Sequence, residues 1–430
     1  WYLQTAMPEL ELDKNPAYSA YCDFFGRLNP IGSPHSSFGN RGINERDWVS
    51  SRVTNFRRVA MLQGNGTAMQ TWLDSRRRLK DLSGADPMPN SPWVDYVLPY
   101  YSQEPVPEVE TNPAKLFAVE GWVTASSVPP NDFNAQKEAV SLSFSCRARG
   151  GYSHAFRSEN GYDLHAYGET VAVGGDNTSN QSFFANHTMS HNTVLVNGQE
   201  QLGAKDGSVP MCGRIIAYEL GDGYVYWAGD ATPSYGPDSG LERFVRHVVF
   251  VDGAYVVMYD DLALQDDADP ATFQWLYHVM PLVPLDFDEE VFRLRYAIGD
   301  VEVALQHVAH VDDLTYEDLP VERGMVNPIT GEDVTRSDKW LKGDPRGIRI
   351  PEPAEVHHIW VSHRTPRQQM QFLAAIVPFR RGEEEPSITG VDDAAARVAF
   401  RGTEKSIAFR KDDAADISVD VAGIGTGFEG

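Results

Sequence analysis

Apolar side chains in the first hundred residues recur three or four positions apart, which is the spacing of one helix face. The stretch NPAYSAYCDFFGRL predicts a helix in which Asn15 is the N-cap and Pro16 occupies the first turn. Two further helices are predicted in DWVSSRVTNFRRVAMLQGNG, which ends near Gly64, and in TAMQTWLDSRRRLKDLSG, which ends at Gly84. We therefore expect residues 1–100 to form a helical segment.

After a segment rich in proline and glutamate, residues 101–115, the pattern changes to alternating or β-branched runs separated by turn residues. The dipeptides Asn197-Gly198 and Asp252-Gly253 each follow an apolar run and predict two-residue hairpin turns. No helical pattern interrupts these runs, so we expect residues 116–430 to form one large antiparallel β-sandwich. The predicted fold class is α+β multidomain, with the helical segment followed by the sandwich.

A chain of 430 residues is longer than one small core requires, and a hydrophobic content of 42% can fill two domains. No apolar run approaches the roughly 18 residues of a membrane helix. The three cysteines are far apart and form no CxxC pair, which argues against a disulfide framework and a cysteine zinc site. The sequence starts at Trp1 without an initiator methionine or a signal-peptide pattern, so we expect a fragment or a processed form.

The net charge of −24 argues against nucleic acid as a partner, because nucleic-acid-binding proteins present a basic surface. An anionic substrate would need a local basic patch. One candidate lies between Arg41 and Lys80, where nine cations face only three acidic residues. The alternative is an ordinary solvated helix face. The nine cations are Arg41, Arg46, Arg52, Arg57, Arg58, Arg76, Arg77, Arg78 and Lys80.

Five motifs across residues 150–280 resemble, in order, the β-domain of the heparinase II/III-like polysaccharide lyases, a group that includes the exo-acting oligoalginate lyases. The resemblance implies an (α/α) toroid in front of the sandwich. Residues 1–100 resemble only the last helices of that toroid, so most of it would precede Trp1. The motifs are YSHAFRSENGYDLHAYGETVAVGGD, MSHNTVLVNGQEQ, YVYWAGDATPSYG, RHVVFVDGAYVVMYDDL and FQWLYHVM.

The resemblance implies cleavage of uronate-containing anionic glycans, alginate- or heparin-like, by β-elimination. A base removes the C5 proton, which is α to the carboxylate, and an acid protonates the departing O4. Donors or cations must meet the carboxylate where negative charge accumulates, and tyrosine and histidine suit the proton transfers. The resemblance also implies a secreted or periplasmic protein without an organic cofactor, whose partner is an anionic polysaccharide or oligosaccharide. The sequence does not predict the oligomeric state.

The catalytic tyrosine of the family corresponds best to the NPAYSAY helix, with Tyr18 as first choice and Tyr21 as second. The alternative is that both are core aromatics. His35 is a loop histidine that could partly replace a carboxylate-binding residue of the toroid. The family histidine that heads the first sandwich motif corresponds to His154, which would reach the substrate. Arg157 follows it and has the planar fork that binds a carboxylate, although a surface arginine is the alternative.

Many relatives hold a structural zinc ion, bound by a histidine two residues after the first, an aspartate and the histidine of an HNT motif. Here Phe156 and Gly174 occupy the first two of these positions, whereas His191 is retained. With or without metal, His191 is expected to be a buried residue that ties strands together, while His187 lines the cleft or is exposed. A replacement zinc site would combine Asp176 and His191 with either His165 or His187.

Five later histidines have spacings similar to those of zinc ligands, but no acidic or cysteine partner follows at a fixed distance. We expect these side chains at the surface of the sheets. Two other functions stay open. One is a non-catalytic glycan-binding or scaffold module, and the other is a toroid-plus-sandwich glycoside hydrolase that uses paired carboxylates. The five histidines are His307, His310, His357, His358 and His363.

Overall fold

The structure is a computed structural model that describes most of the chain, and its residues form two compact units. Unit 1 consists of residues 1–35, 43–115 and 126–139, and unit 2 consists of residues 36–42, 116–125 and 140–430. The residues described are 11, 14–30, 32, 55–84, 105–148, 156–174, 187–202, 212–280, 282–321, 356–411 and 417–423.

Unit 1 contains the three predicted helices, and their boundary residues act as predicted. The Asn15 Oδ1 atom accepts a 2.9 Å hydrogen bond from the Ala17 amide at the start of the first helix. Gly84 ends the third helix in the left-handed conformation, with φ of 70°. A fourth, short helix was not predicted. The helices are α1 (Pro16–Leu28), α2 (described over residues 55–63), α3 (Gly66–Ser83) and α4 (Phe133–Gln136).

The core of unit 1 lies around Trp72, which packs with Phe56, Met69 and other buried side chains of the helices. Two members of the predicted basic stretch cover the indole ring: the guanidinium carbons of Arg57 and Arg76 lie 4.8 and 5.7 Å from its centroid. The stretch therefore contributes to packing as well as to surface charge. Its members Arg41, Arg46 and Arg52 lie outside the described residues.

Unit 2 is built from antiparallel strands, which confirms the predicted fold class. The strands are β1 (Ala114–Phe117), β2 (Trp122–Ser126), β3 (Val140–Ser145), β4 (Gly161–Ala166), β5 (Glu169–Ala172), β6 (Val194–Val196), β7 (Arg214–Gly221), β8 (Tyr224–Asp230), β9 (Leu241–Val251), β10 (Tyr255–Leu264), β11 (Phe273–Val279), β12 (Asp286–Asp288), β13 (Arg293–Ile298), β14 (Val301–His307), β15 (Leu314–Val321), β16 (Val356–His363), β17 (Gln369–Arg380), β18 (Ser387–Asp392), β19 (Ala395–Phe400), β20 (Thr403–Lys411) and β21 (Ile417–Gly423). They form sheets ordered β1-β2-β3-β4-β5, β12-β13-β14-β17-β10-β9-β8-β7, β15-β16-β11-β6 and β18-β19-β20-β21.

The eight-stranded sheet is covered on both faces. On one face, Tyr259 of β10 stacks on Phe409 of β20 with ring centroids 5.0 Å apart. On the other face, Trp227 of β8 packs against Phe144 of β3, with ring centroids 5.9 Å apart. On the same face, the Trp275 ring of β11 packs against the end of β14. Because successive side chains point to opposite faces, a strand buried on both sides becomes apolar throughout. This explains the apolar runs VVFV at the end of β9 and YVVMY at the start of β10, and the second covered face adds a layer to the predicted sandwich.

The Asn197-Gly198 turn is confirmed as a two-residue turn, with Val196 opposite Gln199, whereas the Asp252-Gly253 turn is followed by a third loop residue, Ala254, so that Val251 pairs with Tyr255. Asp252 and Gly253 have φ values of 50° and 63°, and Asn197 and Gly198 have φ values of 51° and 69°. Two consecutive positive φ angles define the type I′ turn, whose twist matches that of antiparallel strands. The loop of Asp252, Gly253 and Ala254 sets the register in which β9 pairs with β10.

The prediction for the late histidines is wrong for four of the five. His307, His357, His358 and His363 are all buried, although His310 is partly exposed. The reason is that β14 and β16 are covered on both faces, so no side of these strands is a sheet surface. No helix among the described residues is long and apolar enough to cross a membrane.

Candidate active site

The two candidate catalytic tyrosines lie on α1 of unit 1, and neither is a core residue. Tyr18 is 37% exposed and Tyr21 is 39% exposed. The Tyr21 ring packs against Phe25, with centroids 4.7 Å apart, so one edge is supported while the residue stays accessible. Their three-residue spacing places them on neighbouring parts of one helix face. Their roles as acid or base stay predictions.

Three of the predicted site residues lie outside the described residues: His35, His154 and Asp176. The histidine that would reach the substrate from the sandwich is therefore not placed here. The predicted residues of the same region that the structure does describe, Arg157 and His187, can be followed in detail.

Arg157 and His187 are joined by a residue that sequence reasoning missed, Glu200. The Arg157 Nη1 atom donates a 2.6 Å hydrogen bond to Glu200 Oε2, and the His187 Nδ1 atom lies 2.7 Å from Glu200 Oε1. All three side chains are partly buried, with exposures of 29%, 17% and 16%. Such partial burial makes the charge interactions stronger than those of fully solvated pairs. His187 is thus a member of a charged cluster, which we call the Glu200 cluster.

The backbone that carries the Glu200 cluster is fixed by a buried polar framework. The amide group of Gln201 pairs with the backbone of Glu159 in both directions, accepting from its N–H at 2.8 Å and donating to its C=O at 2.9 Å. The Glu159 carboxylate in turn binds the Arg147 guanidinium at 2.8 Å. The Thr193 hydroxyl donates to the same Glu159 carbonyl group. Buried groups that are fully paired in this way fix a single conformation.

The HNT motif lies beneath this surface, and His191 is fully buried, as predicted. The central residue of the motif is Asn192, whose amide nitrogen donates to the carbonyl groups of Tyr162 and Val173 at 2.8 and 3.0 Å. Its Oδ1 atom accepts from the backbone N–H of His278 at 2.9 Å and lies 3.0 Å from His278 Nδ1. One side chain therefore ties β4, the end of β5 and β11 together.

Replacing Asn192 with alanine is expected to lower the free energy of unfolding by about 2–3 kcal/mol, because it leaves buried backbone groups without their partner. Asn134, an exposed residue of α4, provides the control, and Asn134→Ala is expected to change stability little. Urea unfolding of both variants measures the difference. Equal stability of the two variants would contradict the tying role of Asn192.

The described surroundings of His191 do not match the zinc site of the resemblance. Phe156 is buried, and its ring lies 5.5 Å from the His191 ring, so a hydrocarbon face stands where a ligand would be needed. Gly174 lies where the aspartate ligand is expected, and its backbone N–H donates a hydrogen bond to the Asp163 carboxylate. This nearby carboxylate therefore already binds the backbone. Among the described residues, no group of three or more ligand-type side chains could hold a metal ion. A zinc ion bound through Asp176 stays a prediction.

A buried ion pair also fixes the candidate site, and sequence reasoning missed it. The Arg246 guanidinium binds the Asp260 carboxylate through two hydrogen bonds of 2.7 Å. Its Nη1 atom donates to the carbonyl oxygens of Asn160 and Asn192, both at 2.7 Å. Arg246 and Asp260 face each other across the β9–β10 pair, in the register that the loop between these strands sets. The predicted two-residue turn would have placed Arg246 opposite Tyr259, so the sequence did not indicate this pair, which depends on the extra loop residue Ala254.

Comparison with known proteins gives one family match and several similar folds. The family described as heparinase II/III-like, C-terminal, matches residues 110–373. A solved structure described as a heparinase III gene product is similar with a TM-score of 0.58 and 11% identity, covering 94% of this chain and 52% of that chain. The heparan sulfate lyase from Pedobacter heparinus is similar with a TM-score of 0.51 and 12% identity, covering 95% and 61%.

No curated protein matches the chain by sequence. The low identities mean that the structural likenesses concern the fold alone. The chain spans about half the length of the heparinase III gene product, at 52%.

Proposed function

Because the chain belongs to the heparinase II/III-like family, we propose that it acts as a polysaccharide lyase that cleaves uronate-containing anionic glycans by β-elimination. The observation that carries the proposal is the family match over residues 110–373, more than half of the chain. The extension of the fold similarity to 94% of the chain, including the helical segment, supports it.

In this proposal the proton transfers are performed by Tyr18, with Tyr21 as second choice, and by His154. The guanidinium of Arg157 binds the uronate carboxylate, which already carries its negative charge in the bound substrate. His35 and His187 contact the substrate. The exposure of the α1 tyrosines supports this assignment, because a proton donor must meet the glycan.

We propose a heparan-type glycan as the first substrate to test, because the similar folds include a heparinase III gene product and a heparan sulfate lyase. Alginate is the second substrate. We also propose that the protein is secreted or periplasmic, since polymeric anionic glycans of this kind are met outside the cytoplasm. No step of the proposed reaction requires an organic cofactor.

The test is the appearance of ultraviolet absorbance from the double bond that β-elimination creates next to the carboxylate. The full-length protein is incubated with heparan sulfate, heparin, alginate, chondroitin sulfate and ulvan. We expect product from at least one glycan and a loss of about a hundredfold in kcat for Tyr18→Phe. The control is Tyr224→Phe in unit 2, whose hydroxyl donates to Glu219 at the surface.

Four outcomes would contradict parts of the proposal. Absence of the unsaturated product with every glycan would exclude the lyase activity. Glycan binding without product would favour a binding module instead. Release of sugar without the new absorbance would indicate a hydrolase. Equal activity of Tyr18→Phe and Tyr224→Phe would exclude Tyr18 and leave Tyr21 to be tested in the same way.

A further inference from the structure

Glu200 occupies the centre of the candidate substrate-binding cluster, and each of its carboxylate oxygens serves a different partner. Oε2 accepts from Arg157 at 2.6 Å, and Oε1 faces the Nδ1 atom of His187 at 2.7 Å. Hydrogen bonds in which one or both groups are charged are stronger and shorter than neutral ones. One residue therefore controls the orientation of both side chains that the proposed function assigns to substrate binding.

Hydrogen bonds anchor the backbone next to Glu200 and at His187. Gln201, the neighbour of Glu200, is 2% exposed and its backbone N–H donates to the Thr188 hydroxyl at 2.9 Å. The His187 carbonyl group accepts from the Ser190 hydroxyl at 2.8 Å. Such anchoring meets the general requirement that groups of a binding site be held in place before the ligand arrives.

The contact with Glu200 also determines where the proton of His187 resides. An ionised carboxylate can only accept, so the hydrogen bond requires the proton on Nδ1. In the neutral imidazole the lone pair is then at Nε2, which becomes the hydrogen-bond acceptor of the ring. Arg157 uses one N–H group on Glu200, and a guanidinium has five donors in a planar fork that fits a carboxylate.

We propose that Glu200 is a positioning residue for substrate binding: it holds His187 as the Nδ1–H tautomer and directs the Arg157 guanidinium towards the uronate carboxylate. This inference rests on the proposed function. Glu200 does not contact the reacting atoms in this arrangement, and it acts through its two partners. Its removal therefore weakens substrate binding more than it slows the chemical step.

Glu200→Gln is the sharpest variant, because the amide keeps the size of the side chain but has a single acceptor oxygen for two donors. We expect KM for the cleaved glycan to rise about tenfold, with a smaller change in kcat, since one charge-assisted hydrogen bond is lost. Glu200→Asp keeps the charge but withdraws it by one methylene group, and it should give an intermediate KM. The matched control is Glu385→Gln, because the Glu385 carboxylate likewise bridges two basic side chains, Arg293 and Arg295, at 3.0 and 3.3 Å.

A second measurement does not depend on activity. In protein labelled with ¹⁵N-histidine, the His187 signal is identified by its absence from His187→Gln. We expect the Nδ1–H tautomer in the unmodified protein and a shift towards Nε2–H in Glu200→Gln. The Nε2–H tautomer in the unmodified protein, or identical spectra of the two proteins, would overturn the inference.

The two measurements separate the possible failures. If the unmodified protein cleaves no glycan, the proposed function fails, and the tautomer measurement still decides whether Glu200 sets the state of His187. If the protein is active and Glu200→Gln has an unchanged KM, the positioning role is excluded while the lyase activity stands. A lower KM in Glu200→Gln would also overturn the inference, because it would mean that Glu200 competes with the substrate for Arg157.

Discussion

Replacing Arg246 with methionine is expected to lower the free energy of unfolding by about 3–5 kcal/mol, because it leaves the Asp260 carboxylate buried without its partner. The two side chains are 0% and 1% exposed. Methionine fills a similar volume without a charge, so the loss reports the electrostatic and hydrogen-bonding contribution rather than a cavity. Chemical unfolding followed by tryptophan fluorescence measures it.

Two further variants distinguish this explanation from a general sensitivity to mutation. Arg246→Met combined with Asp260→Leu removes both charges and is expected to be more stable than Arg246→Met alone, since a buried pair can be replaced by apolar residues at small cost. The exposed Arg295, which pairs with Asp286 at 2.6 Å, provides the control, and Arg295→Met should cost about 1 kcal/mol or less. A double variant as unstable as the single one would refute the explanation.

The Arg246 pair also connects stability to the candidate site. Its two remaining hydrogen bonds hold the carbonyl groups of Asn160 and Asn192, which belong to the segments that lead to Arg157 and to the HNT motif. Loss of Arg246 therefore removes one hydrogen bond from each of the two segments. We infer that the ion pair is part of the support on which the Glu200 cluster rests, through the Glu159 and Gln201 framework.

Local features of the fold were predictable because the sequence within a few residues determines them. Asn15 accepts from an amide two residues on, and Gly84 adopts a left-handed conformation that other residues disfavour. The two-residue Asn197-Gly198 turn is equally local. Each of these features depends on backbone geometry that only a few residue types satisfy, and each was predicted correctly.

Features that depend on long-range packing were not predictable from spacing. The late histidines were expected at a surface because no acidic or cysteine partner follows them at a fixed distance, yet the fold buries four of the five. Glu200 follows a turn, where an acidic residue is ordinary, so its position in the sequence gives no signal of a role. Its importance arises from Arg157 and His187, which lie 43 and 13 positions away along the chain. Only the fold brings these three residues together.

Acidification is expected to destabilise the protein strongly between pH 6.5 and about 4, because burial lowers the pKa of several histidines. Loss of hydration lowers the pKa of His165, His247 and His278 from 6.5 to about 4, and that of His307 to about 3. In the unfolded chain the same groups bind protons below their ordinary pKa. The unfolded state therefore takes up more protons in this window, and the free energy of unfolding falls as the pH falls.

The expected loss is about 1.4 kcal/mol for each buried histidine and each pH unit below its unfolded pKa, so four such groups produce a steep dependence. Burial raises the pKa of Asp74 and Asp260 above the ordinary 3.8, so between 3.8 and their raised pKa values the folded state binds more protons and these two carboxyl groups oppose the trend. Urea unfolding from about pH 7 to about pH 5 measures the slope. His307→Leu should reduce that slope, because it removes an imidazole that Trp275, Phe292 and Phe372 enclose. The control is His310→Gln, at a partly exposed site. A free energy of unfolding that stays constant over this range would contradict the prediction, because it would mean that the folded and unfolded chains bind equal numbers of protons.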